Sequence, residues 1–156
     1  MISYKHTQTG YLILVVMLAI MALFTWAQIT ARLEPPSIDS GTNFAVTAIM
    51  ALILIILASF VTLTVLIDEN YVRIKFGYGL FLKKLFLKEI ASVKVVKNHW
   101  YYGWGIRLWL WPTTWIYNVS GLDAVELIMK NGKIYRIGTD EPKELETAIV
   151  KLINKI

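Results

Sequence analysis

Cysteine is absent from the 156 residues, which removes disulfides, thiolate nucleophiles and cysteine-based metal or iron-sulfur sites together. Histidine is nearly absent: His6 and His99 are the whole supply, too few for a multi-histidine metal site. No Gly-rich phosphate loop and no nucleophile elbow occurs, and Gly103-x-Gly105 lacks the third glycine of a dinucleotide loop. No catalytic, cofactor-binding or metal residue is therefore expected. An enzyme would need a charged or nucleophilic cluster that the sequence does not show.

Charge is missing from two long stretches. Tyr11 to Ile29 is nineteen residues without a charged side chain, and Phe44 to Ile67 is twenty-four more. At 1.5 Å per residue the first would run roughly 28 Å as a helix, close to the ~30 Å of a hydrocarbon core. Its apolar run is longer than that of a signal peptide and no Ala-x-Ala site follows, so it reads as an anchor. Two membrane spans, about 11–29 and 44–67, are expected, within an N-terminal region of residues 1–69. Lys5 precedes the first span, and Arg73, Lys75, Lys83, Lys84 and Lys88 follow the second. The connecting loop sets Arg32 against Glu34 and Asp39 around a Pro35-Pro36 stiffener. This bias predicts a multi-pass protein of the plasma (inner) membrane with both termini cytoplasmic.

Residues 70–156 change character. Tyr71 to Tyr78 alternates, with Val72, Ile74, Phe76 and Tyr78 on one face and Tyr71, Arg73 and Lys75 on the other, which predicts a half-buried strand. Strands are also expected over 81–90, 92–97, 105–111 and 115–120. Two more, 124–130 and 133–139, flank Asn131-Gly132, a strong two-residue hairpin signal. Leu145, Ala148, Ile149, Leu152, Ile153 and Ile156 then follow helical spacing, with Asp140 placed to cap the first turn.

Seven strands followed by one amphipathic helix is the order of the pleckstrin-homology (PH) superfold. With Tyr102-Gly103-Trp104-Gly105-Ile106-Arg107, Tyr117-Asn118, the Gly132 hairpin and Ile137-Gly138-Thr139-Asp140-Glu141-Pro142, the chain resembles the bacterial PH-like membrane proteins over about its last ninety residues. The resemblance implies an α+β domain after the transmembrane helical hairpin: a bent antiparallel β-barrel of about seven strands, closed by a C-terminal capping helix. Phosphoinositide-binding PH domains use basic residues around the first hairpin, where Lys75, Lys83 and Lys84 stand. Their Arg-x-Arg element is missing, since Leu85-Phe86 follow Lys84.

Two surfaces are candidates for function. Residues 68–111 carry eight Lys or Arg against three Asp or Glu, while 112–156 carry six of each. Lys75, Lys83, Lys84 and Arg107 are therefore lipid-contact candidates beside an anionic leaflet, with solvated strand faces as the plainer alternative. Five of the six tryptophans fall between residues 100 and 115. Trp100, Tyr102, Trp104, Trp109 and Trp111 are protein-docking candidates, because a greasy strand with two apolar faces needs a cover on one of them. Packing within the domain is the alternative. The expected function is a membrane-anchored, non-enzymatic binding or scaffolding module, docking a protein partner or a second copy of itself. An anionic-lipid headgroup binder is the alternative, and no nucleic-acid partner is expected.

Overall fold

The expected second span is shorter than its hydropathy. In the computed structural model, which describes residues 2–33 and 40–155, the helix α2 covers Ser40–Ala58, and the chain then turns into a strand, β2, over Thr62–Asp68. Residues 62–67 are apolar for a different reason from those before them. Leu63, Val65 and Ile67 are buried in a protein core, whereas Thr62, Thr64 and Leu66 are half-exposed. That alternation is a strand seen by one face. The helix α1, Tyr11–Leu33, holds the one stretch long and apolar enough to cross a membrane among the described residues, Tyr11–Thr30; the apolar part of α2, Phe44–Ala58, is shorter. The two-span hairpin and the multi-pass expectation built on it are corrected accordingly. The Pro35-Pro36 loop and Ile156 lie outside the described residues.

A strand precedes the first helix as well. β1, Ile2–Thr9, pairs antiparallel with β2 from Thr9↔Thr62 to Ile2↔Asp68, and β2 continues onto β3 (Tyr71–Phe76) and β4 (Phe81–Phe86). The boundary expected between 69 and 70 thus falls inside a four-stranded sheet, β1-β2-β3-β4. The helices α1 and α2 form an arm inserted between its first two strands. Gly10 N–H donates to the Val61 carbonyl (2.6 Å) and Gly77 N–H to Thr62 (2.8 Å), which closes the sheet beneath the arm.

The second sheet contains β5 (Ile90–Lys97), β6 (Gly105–Leu110), β7 (Thr113–Asn118), β8 (Asp123–Met129) and β9 (Ile134–Gly138), in the order β5-β8-β9-β7-β6. β8 and β9 pair across a turn that contains Asn131-Gly132 but is longer than the expected two residues: Met129 N–H donates to the Lys133 carbonyl (2.9 Å), and Gly132 alone of the two takes a positive φ, +80°. β7 and β9 run parallel, a pairing that the expected antiparallel barrel does not contain. Two facing sheets of four and five strands replace the expected closed barrel of about seven. The core between them joins Val72, Ile74, Phe76 and Leu85 to Val125, Leu127, Tyr135 and Ile137, each large side chain contributing about 1.5–3 kcal/mol by leaving water.

α3, Pro142–Ile153, lays Leu145, Ile149 and Leu152 on this core, and it packs against β5, β8 and β1. Its first turn is not capped by Asp140. The N-cap is Glu141, with no side-chain cap bond, and Asp140 instead meets His6 of β1, Nε2 to Oδ1 at 2.5 Å. His6 Nδ1 lies 3.2 Å from Glu141. A partner from a distant strand has taken the carboxylate that local spacing assigns to the helix. α3 thereby covers the side where β1 and β5 are the sheet edges. On the other side, β4 and β6 leave a gap.

Candidate docking and lipid-contact surfaces

Three regions carry the exposed chemistry, and the base of the arm orients them. No residue of the apolar stretch of α1 is buried. Ile13, Met17, Ile20, Phe24 and Gln28 form its half-buried stripe, and α2, which packs beside α1, has Met50, Leu54 and Leu57 half-buried. The other Leu, Ile, Val and Phe side chains from Tyr11 to Thr30 and from Phe44 to Ala58 point outward. An apolar surface of that extent requires a cover.

The outer face of the four-stranded sheet is basic. Cross-strand pairing puts Lys5, Leu66, Arg73 and Lys84 in one row and Thr7, Thr64, Lys75 and Leu82 in the next, and directly paired residues share a face. Lys75 and Lys84 are therefore brought together, with Lys5 and Arg73. Arg73 is also paired to Asp68 (2.5 Å). Burial pushes the Asp68 carboxyl up, but the amides of Asn70 and Tyr71 and the Arg73 guanidinium hold it below its ordinary value. Lys83 is not part of this face. It pairs with Ile74, whose side chain is in the core, and its ammonium lies over the Tyr135 ring at 5.6 Å. Arg107 is farther still, on the other sheet.

The aromatic stretch divides in three. Trp104 lies at the base of the arm, lining a hollow of about 290 Å³ with Ile13, Leu57, Phe60, Gly105, Ile106 and Arg107. Tyr101 and Tyr102 fold back onto Trp109 of β6, ring centroids 5.6 and 5.0 Å away, and the Arg136 guanidinium lies 5.7 Å from the Tyr102 ring. Trp100 stands edge-on to Tyr101 and is exposed. Beyond them the β6–β7 hairpin projects: Leu108, Leu110 and Trp115 are exposed on one face, Trp109 on the other, and Trp111 is 89% exposed in the turn at the tip. Trp109 Nε1 donates to the Trp111 carbonyl (2.9 Å), which fixes its ring along the hairpin.

Beside these rings, Glu126 is only 4% exposed and receives Arg136 Nε (2.8 Å) and Lys94 Nζ (3.1 Å). Burial raises its carboxyl, and the two cations outweigh it, leaving the group below its ordinary value. This ion triplet holds the outer face of the second sheet together. Among the described residues no group of three His, Cys, Asp or Glu side chains could hold a metal ion.

A cleft of about 300 Å³ runs between β4 and β6, lined by Ile74, Phe76, Phe81, Leu82, Lys83, Ile106, Trp115 and Tyr117 among others. Burial, with Tyr135 nearby, pushes the Tyr117 phenol up to about 12, so it stays a neutral donor. Sequence reading missed Lys5, Phe60, Ile106, Trp115 and Tyr117 as site residues. Its place just before the first apolar stretch was the only signal for Lys5, and the others are united by sheet packing alone. No protein-family model and no curated protein sequence matches the chain.

Proposed function

We propose that the protein is a membrane-anchored, non-enzymatic docking module of the inner membrane, its sandwich held at the cytoplasmic face and its β6–β7 hairpin offered to a protein partner or a second copy. The observation that carries this reading is the hairpin itself. β6 starts at the base of the arm, where Gly105 and Arg107 lie beside Ile13 and Leu57, and ends at Leu110, about 17 Å away at ~3.3 Å per residue. Its exposed apolar end is thus remote from the arm, where lipid gives no cover and another protein can. Lys5 before the arm and Lys75 and Lys84 after it favour the cytoplasmic side.

The absence of cysteine makes the test clean. Trp111→Cys, carrying a short thiol-directed photo-crosslinker, should yield a discrete protein adduct in native membranes, and Leu110→Glu in the same chain should abolish it. The same label on purified protein reads self-docking, since a dimer then forms without other components. Labelling that captures only lipid, or an adduct indifferent to Leu110→Glu, would refute the reading. A second reading, contact of the Lys5, Arg73, Lys75 and Lys84 face with anionic headgroups, is favoured by the convergence of four cations from three strands on one surface.

A further inference from the structure

The cleft between β4 and β6 and the hollow at the base of the arm adjoin at one residue and together outline a groove. Ile106 lines both. Phe60 lines the hollow and stacks on Phe81 of the cleft with centroids 5.1 Å apart and planes 28° from parallel. One end of the groove is made by side chains of the arm, Ile13 and Leu57. The other lies between the sheets, over Tyr117 and beside Trp115. Each part is at the small end of the size range of ligand pockets, and joined they are well inside it.

The charges of this groove are all of one sign. Among the described residues, Lys83 and Arg107 are the only ionisable ones lining it besides Tyr117, whose phenol stays neutral. Lys83 is half-buried, and its partner is the Tyr135 ring; Arg107 Nε donates a 3.4 Å bond to the Trp104 carbonyl. Among the described residues neither cation has a carboxylate within ion-pair distance. Three other cations of the sheets, Arg73, Lys94 and Arg136, have acidic partners. A half-buried ammonium facing an apolar cleft, without a counter-charge, is a costly arrangement unless an anion comes to it.

We propose that this groove takes one single-chain anionic lipid from the bilayer, its head at Lys83 and its acyl chain laid past Phe60 towards Ile13 and Leu57. The polarity of the groove fits that of a lipid leaving a membrane. A lipid presents its head to water first, and the groove places Lys83 away from the arm, while Arg107 lies at the arm end on the rim of the hollow. Ile106 and the stacked pair of Phe60 and Phe81 form the walls that a flexible chain would meet. The placement of the lipid rests on the membrane-arm reading; the groove and its charges do not.

The full chain, purified in a non-ionic detergent, is incubated with oleate or with its uncharged twin oleyl alcohol, and bound lipid is counted by native mass spectrometry. One oleate per chain should be retained and oleyl alcohol should not. Lys83→Gln should lower oleate occupancy at least tenfold, Lys83→Arg should keep it, and Ile106→Trp should block it by filling the junction of the two parts. Lys133→Gln, on the exposed turn after β8, should bind as the native chain does. Equal retention of oleate and oleyl alcohol would overturn the proposal, as would native occupancy in both Lys83→Gln and Ile106→Trp. Loss in Lys83→Arg equal to that in Lys83→Gln would also overturn it, since the charge would then not be what binds. Carbonate extraction of membranes tests the arm separately. A chain released by carbonate that still selects oleate would refute the anchor alone, and a retained chain that does not select oleate would refute the groove alone.

Discussion

The amide of Gly10 and the carbonyl of Val61 are joined by a 2.6 Å hydrogen bond, with the whole helical arm between them in sequence. The arm therefore enters and leaves the sandwich at one point, and both termini belong to the same folded body, β1 at one end of the chain and α3 at the other.

It follows that the arm can be excised. Thr9 and Thr62 are directly paired, so replacing residues 10–61 by Asn-Gly should convert the insertion into a two-residue hairpin. The product should be water-soluble, β-rich by circular dichroism and cooperative in thermal melting. A fragment beginning at Asp68 should behave worse, because the loss of β1 and β2 bares the hydrogen-bonding edge of β3 and the flank of the buried Val72, Ile74 and Phe76. Size-exclusion chromatography of the two proteins distinguishes them: aggregation of the first, or a monodisperse second, would contradict the sheet described.

Acid should loosen the protein through its two paired carboxylates. Glu126 and Asp68 both lie below their ordinary values when folded. The stability they contribute is therefore complete above those ordinary values and is lost as pH falls through the folded ones. Denaturant melts should weaken below about pH 4.5. Glu126→Gln should cost about 1.5–3 kcal/mol at neutral pH, the worth of hydrogen bonds to a charged group, and should flatten the acid decline.

The hairpin tip should be dispensable for folding. Trp111→Ser should change stability by no more than about 0.5 kcal/mol, the usual range of surface substitutions. Ile137→Ala, in the core of the same sheet with no exposed surface, should cost about 2–5 kcal/mol. Equal costs for the two would mean that the hairpin packs within the domain.

Gly77 is predicted to resist substitution. It adopts φ +44°, and a Cβ there would meet the Ser59 carbonyl oxygen at 2.6 Å. Gly77→Ala should destabilise by about 1–3 kcal/mol, the cost of a strained backbone position, and should raise hydrogen exchange at the Gly77 amide that Thr62 accepts.

Local pattern makes several elements legible in the amino-acid sequence. The alternation from Tyr71, the Asn131-Gly132 turn and the Leu145, Ile149, Leu152 stripe each report a periodicity set by one element's own burial. What failed depends on partners far away in sequence. Ile2–Thr9 has too little apolar alternation to announce a strand, and only β2 makes it one. Thr62–Ile67 is as greasy as the helix before it, so hydropathy merged a core strand with a candidate span. Its β-branched residues Thr62, Thr64, Val65 and Ile67 were the available warning. Of the candidate residues, Lys75 and Lys84 do share a surface, but Lys83 turns inward, because neighbours on a strand point to opposite faces. Asp140 looked like a cap because nothing local foretold His6.

The insertion between β1 and β2 also sets the order of events at the ribosome. β1 is translated before the arm, yet the strand that it pairs with follows the arm. At about 5–20 residues per second, the roughly fifty intervening residues take roughly 3–10 s to synthesise. For that interval β1 must wait unpaired. The polar residues that hid it from sequence reading, Ser3, Lys5, His6, Thr7, Gln8 and Thr9, are those that keep a waiting strand soluble.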